Sequence, residues 1–92
     1  MIDYGVRNEY MSKWRSCGVV VEGEPIAVGG INPWDYPWRQ ADQLPVELPH
    51  PNYPEQRHRM VVYEVETSGR RIVFAAGELS ASVWAFYVPI DK

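Results

Sequence analysis

Cysteine is nearly absent from this sequence. Cys17 stands alone among 92 residues, which excludes an intrachain disulfide and any cysteine-rich zinc site, and fits a reducing compartment. Long apolar runs are missing as well. No stretch approaches the roughly 20 residues of a membrane-spanning helix, and the start, Met-Ile-Asp-Tyr-Gly-Val-Arg, lacks a basic region followed by an apolar run. Secretion and membrane insertion are therefore disfavoured, and a cytoplasmic location is expected. Basic excess is the third absence: nine Lys and Arg against twelve Asp and Glu give a net charge of −3. General nucleic-acid binding is disfavoured, because phosphate contact needs a clear positive surplus, although a local basic patch is still allowed.

What is present is apolar and aromatic. Hydrophobic residues make up 46 % of the chain, a globular rather than a disordered composition, and the length suits one domain spanning residues 1 to 92. Residues 31 to 58 hold six of the eight prolines and two of the four tryptophans. Pro33, Pro37, Pro45, Pro49, Pro51 and Pro54 each lack a backbone donor and fix φ, so no regular helix or central strand runs through the stretch. Trp34, Tyr36, Trp38 and Tyr53 are side chains that a solvated linker has little reason to carry. Either the segment folds back and completes a core, or it displays an aromatic binding surface. A structureless loop of that length is uncommon in a compact domain, so the segment is expected to be ordered, with residues 44 to 48 adding a short extended piece.

The remainder reads as β structure. From Arg59, alternating Val, Tyr and Glu lead to Ser68-Gly69 and back through Arg-Arg-Ile-Val-Phe-Ala-Ala-Gly. That is a strand, a tight turn and a strand. With Ser68 and Gly69 as the loop, Thr67 faces Arg70, Val65 faces Ile72 and Tyr63 faces Phe74 on one apolar face, with Glu66 opposite Arg71 on the other. Met60, Val62, Val73 and Ala75 extend that other face as an apolar patch that something must cover, and the register continues to Arg59 opposite Glu78. After a loop at residues 77 to 82, Val83 to Val88 alternate with both sides apolar, as in a strand buried on two faces.

A second, shorter hairpin is expected from residues 17 to 28. It turns at Glu22-Gly23 and returns as an edge strand over residues 24 to 28, since Pro25 tolerates only an edge. Gly29-Gly30 then bends the chain away; no helix, Lys or Ser/Thr follows to make a phosphate loop. Near the N-terminus, Tyr4, Val6, Tyr10 and Trp14 fit alternation, while Val6, Tyr10 and Trp14 also fit helical spacing. The expectation is mainly β: a small antiparallel five-stranded roll or partly open barrel, with α+β containing one short N-terminal helix as the alternative.

Candidate chemistry is sparse. His50, His58 and Glu55 could give a divalent metal two nitrogens and a carboxylate, but their spacing fits no structural zinc pattern. Cys17 beside one of the histidines would be a nucleophile, yet at the head of an apolar strand it reads as a buried small hydrophobe. Glu64, Glu66 and Glu78 fit cross-strand ion pairs better than acid and base catalysis. No cofactor is expected.

Trp34, Tyr36, Trp38, Arg39, Tyr53, Arg57 and Arg59 form the candidate ligand-binding set, since stacking rings and guanidinium groups together suit a protein, peptide or small anionic ligand. The simpler reading of Arg57 and Arg59 is local pairing with Glu55 and Glu78. A non-enzymatic binding module is the leading expectation. A homo-oligomer paired through a sheet edge is the alternative, and a small metal-assisted enzyme the second.

Overall fold

The computed structural model describes residues 13 to 90, and the N-terminal strand-or-helix question at Tyr4, Val6 and Tyr10 lies outside the described residues. The chain is mainly β. The strands are β1 (Trp14–Val21), β2 (Arg39–Gln40), β3 (Val46–Pro49), β4 (Arg57–Thr67), β5 (Arg70–Ser80) and β6 (Val83–Pro89), with one 3-10 turn at Pro33–Asp35. All pair antiparallel in the order β1-β6-β5-β4-β2, with β3 also on β4, and the sheet is not closed into a barrel.

The β4–β5 hairpin has the expected register, with Val65 opposite Ile72, Tyr63 opposite Phe74 and Glu66 opposite Arg71. Ser68 and Gly69 both take positive φ, 49° and 78°, as a two-residue primed turn requires to match strand twist. Beyond Val61 opposite Ala76 the register is not continued to Arg59 and Glu78. Glu78 instead accepts the Ser82 N–H at 2.8 Å, and Arg59 lies opposite Glu47 of β3. The expected loop at residues 77 to 82 shrinks to a turn at Ala81-Ser82, because β5 bulges at Leu79 and stays paired to Ser80. β6 sits between β1 and β5 with Ala85, Phe86, Tyr87 and Val88 buried, as its two apolar sides demand.

The first hairpin does not form. β1 pairs with β6 instead, and among residues 24 to 28 only Val28 makes a bridge, to Ile31. The cause is local. Glu24 closes the turn by donating its N–H to the Val21 carbonyl at 2.9 Å, as in a two-residue hairpin, but its side chain rather than its backbone carbonyl accepts the Val21 N–H, at 3.2 Å, and the ladder goes no further. Pro25 has no donor to continue it. Meanwhile the Glu22 N–H bonds to the Ser82 carbonyl at 2.7 Å, tying the end of β1 to the β5–β6 turn. Among the described residues β1 is therefore an edge strand, and residues 24 to 28 leave it to lay Ile26 and Val28 over one sheet face. The Gly29-Gly30 bend is as expected. Gly29, at φ 62°, comes so close to β5 that a Cβ would sit 2.7 Å from Ile72 Cγ2.

Both sheet faces are covered, and the described residues hold six strands where five were expected. On one face Phe74, Phe86, Val65, Ala76 and Val88 are buried beneath Val28, with Trp34, Tyr36 and Trp38 packed against them. On the other, Met60, Val62, Ala75, Ala85 and Tyr87 are buried beneath Ala41 and Leu48. The proline-rich segment thus crosses from one face to the other around the β4 edge. It pairs at Arg39 with Glu64 and at Leu48 with His58 as it goes.

Candidate functional site

Segment 31 to 58 divides into two parts with different surroundings. In the first part, Asn32 caps the 3-10 turn by accepting the Trp34 N–H at 3.3 Å, and Trp38 Nε1 donates to the Pro33 carbonyl at 2.8 Å. That local frame holds the two indoles 5.2 Å apart and edge-on to Phe86 and Trp84. Trp38 also meets Phe74 edge-on at 5.2 Å and lies 5.1 Å from Tyr63. Trp34, Tyr36 and Trp38 are therefore half-buried core-capping residues. Arg39 turns to the other face, where its guanidinium meets Glu64 at 2.7 Å and Glu66 at 3.5 Å. Glu64 is shared, since Arg71 reaches it at 3.4 Å.

The second part carries the exposed groups. Leu44 is 83 % and Tyr53 54 % exposed, and the loop after β3 is closed by His50 N–H to Gln56 carbonyl at 2.8 Å. Gln56 N–H to Tyr53 carbonyl, also at 2.8 Å, folds the tip inward. Arg57 lies opposite Pro49, and Arg59 opposite Glu47, both exposed. Arg39 is five positions along β4 from Arg59, roughly 17 Å at strand spacing. The candidate residues thus form two groups: Trp34, Tyr36, Trp38 and Arg39, and Tyr53, Arg57 and Arg59.

A pocket of about 340 Å³ opens beside the second group. Its walls are Trp14 and Ser16 of β1, Leu48 and Pro49 of β3, Tyr87 of β6, and His50, Pro51 and Pro54 of the loop. Tyr87 is the strut: its Oη donates to the Pro49 carbonyl at 2.6 Å and fixes the loop over the sheet. Proline rings keep the wall apolar and cannot offer donors, so a ligand meets few polar groups there. Ser16 and His50 are the polar exceptions, and the His50 ring is held in place. Its Nδ1 accepts the Asn52 N–H at 3.0 Å, which in the neutral ring leaves the proton on Nε2 as a donor.

Tyr53 packs edge-on against His50 at 4.9 Å, and His58 lies 5.5 Å from it on the other side, its Nε2 inaccessible and without a hydrogen-bond partner. Among the described residues no three His, Cys, Asp or Glu side chains gather to hold a metal ion. Trp14, Ser16, Leu48 and Tyr87 were not among the sequence candidates. They come from three distant parts of the chain, and only the β1–β6 and β3–β4 pairings bring them together.

Cys17 faces away from this pocket. It occupies the β1 bulge between Ser16 and Gly18 and packs into the tryptophan-side core. Burial pushes its thiol pKa up, with Arg15 opposing weakly. A raised pKa means less thiolate at a given pH, and thiolate is the reacting species. Alkylation by iodoacetamide at pH 8 is accordingly expected to run several-fold slower in the folded protein than in urea, with its pH profile displaced upward. Equal rates would contradict the burial.

No helix of the described residues is long and apolar enough to cross a membrane. Comparison of the chain with protein-family models, curated proteins and solved structures finds no match.

Proposed function

We propose that the protein is a non-enzymatic binding module that receives a segment of a protein or peptide partner in the pocket between Trp14, His50, Pro51 and Tyr87. The observation carrying this reading is the pocket itself: concave, walled by aromatic and proline rings, and fixed in shape by the Tyr87–Pro49 hydrogen bond. A preformed apolar cleft with one oriented donor suits an apolar partner side chain flanked by a carbonyl that accepts from His50 Nε2. Tyr53, exposed at the rim, adds contact area at little entropic cost. Arg57 at the adjacent end of β4 would recognise acidic groups on the same partner. Catalysis has less support: among the described residues no three metal-ligating side chains gather, and Ser16 and His50, both in the lining, are hydrogen-bonded to Gly18 and Asn52 rather than to each other.

The homo-oligomer remains a weaker reading. Among the described residues β1 is an edge of the sheet, but its bulge beside Gly18, at φ 128°, and the capping of the Val21 N–H by Glu24 interrupt the row of groups a second strand would need.

A random peptide library displayed on phage and selected on the immobilised full chain tests the proposal. Selected peptides, titrated into nitrogen-15-labelled protein, are expected to shift the Trp14 indole and the His50 and Tyr87 resonances. Replacing His50 by alanine should weaken them roughly tenfold, as loss of a buried hydrogen bond does. A failure to select any peptide, or shifts confined to another face, would overturn the reading.

A further inference from the structure

At one end of the sheet the β5–β6 ladder stops short of the strands' ends. Their pairing runs from Ser80 opposite Val83 to Ala75 opposite Tyr87 and stops there, although both strands continue. The alternation of antiparallel bonds gives the reason. Thr67 and Arg70 flank a two-residue turn and bond to each other, so Arg70, Ile72 and Phe74 direct their backbone groups at β4, while Arg71, Val73 and Ala75 direct theirs at β6. Val73 would next face Pro89, which has no N–H to give its carbonyl. Ile90 turns its own N–H to the Lys13 carbonyl at 3.0 Å, on the β1 side. A cleft of about 300 Å³ results, lined by Ile72, Val73, Val88 and Pro89 and by three guanidinium-bearing residues, Arg15, Arg70 and Arg71.

The charge there is poorly balanced. Arg71 shares Glu64 with Arg39, Arg70 reaches only the Gly29 carbonyl at 3.4 Å, and no ion pair among the described residues involves Arg15 or Arg70. In a chain whose net charge is −3, Arg15 and Arg70, with Arg71 beside them on the next position of β5, make the cleft a local positive site. Concave basic sites focus potential on an incoming anion.

We infer that this cleft binds the C-terminal carboxylate of an extended peptide, which lies along β5 past the end of its ladder with β6. Each part of the site matches one part of such a ligand. The guanidinium forks of Arg15 and Arg70 suit the planar carboxylate, with Arg71 adding field. The Val73 carbonyl, to which Pro89 can give no N–H, accepts a peptide N–H, as when an added strand docks on a sheet edge. Ile72, Val88 and Pro89 take the last apolar side chain. A free phosphate fits less well, because the unpaired Val73 carbonyl has nothing to accept from it. This site is separate from the Trp14–His50 pocket and does not depend on it.

The test uses the full chain labelled with nitrogen-15 and three probes: acetyl-Ala-Val-Ala-Val with a free carboxylate, the same peptide as its C-terminal amide, and inorganic phosphate. The acid should shift the Val73 and Arg71 amides together with the Arg15 and Arg70 Nε–H signals. The amide should bind at least about tenfold more weakly, and added salt should weaken the acid. Replacing both Arg15 and Arg70 by glutamine, both on exposed surface, should reduce the acid's affinity to that of the amide while leaving the spectrum folded. Equal binding of acid and amide would overturn the inference. So would phosphate producing the same arginine shifts at equal affinity, or no shift at millimolar acid.

Discussion

Replacing Trp38 by alanine is expected to lower stability by about 3–5 kcal/mol, as for other large aromatic truncations in cores. Domains of this kind are stable by only about 5–15 kcal/mol in total, so the variant should be close to unfolding at 37 °C. The size follows from position. Trp38 touches Trp34, Tyr63, Phe74, Trp84 and Phe86, and its indole N–H closes the 3-10 turn on the Pro33 carbonyl. Phe74 and Phe86 are fully buried, and removing the ring above them leaves a cavity or admits water. Phenylalanine at each tryptophan separates packing from hydrogen bonding. Trp38→Phe forfeits a bond, whereas Trp34→Phe removes a buried Nε1 that has no partner and should therefore be the milder change. Urea denaturation monitored by far-ultraviolet circular dichroism measures all three variants. An alanine variant within 1 kcal/mol of the parent, on the order of an ordinary surface substitution, would mean that the tryptophan merely rests on the sheet.

Leu48→Ala is expected to cost about 2–5 kcal/mol for a matching reason on the opposite face. Leu48 is 2 % exposed and belongs to the cluster of Met60, Val62, Ala75 and Tyr87, beneath the strand that brings Pro49 to the Tyr87 hydroxyl. Its loss should loosen that lid and broaden the His50 and Tyr53 resonances as well as lower the denaturation midpoint. Trp38 and Leu48 cap different clusters on different faces, so the two losses should add to within a few tenths of a kcal/mol. Strong non-additivity would show that the two halves of the segment act as one unit.

The β4–β5 hairpin was legible from Thr67 and Arg70 out to Val61 and Ala76, because one turn, Ser68-Gly69, fixes the register and alternation carries it outward, but not as far as Arg59 and Glu78. The buried character of β6 followed from its two apolar sides. The residues 17 to 28 misled because the turn they signal does form but no ladder follows it: the Glu24 side chain takes the Val21 N–H, a contact that no spacing rule encodes, and Pro25 has no donor. The partner of β1 lies more than 60 residues away, and such non-local pairing leaves no mark on local pattern. In segment 31 to 58, prolines correctly forbade long strands, leaving β2 with two residues and β3 with four. Whether Trp34 and Trp38 faced inward or outward could not be read, since apolar content is the same in a core cap and a binding surface. Of the pocket, the sequence offered His50 through its chemistry. It could not offer Trp14 or Tyr87, whose roles exist only once β1, β3 and β6 are adjacent.

The central claim is that the proline-rich segment is part of the folded core rather than a loop laid over it. Hydrogen exchange of two protons tests this most directly: the Trp38 indole N–H, bonded to the Pro33 carbonyl at 2.8 Å, and the Ala41 amide, bonded to the Val62 carbonyl at 2.8 Å. Both should exchange as slowly as the amides of Val65 and Phe74 in the central hairpin, opening only when the whole domain unfolds. If they exchange orders of magnitude faster while Val65 and Phe74 stay protected, the segment opens on its own and the core is complete without it.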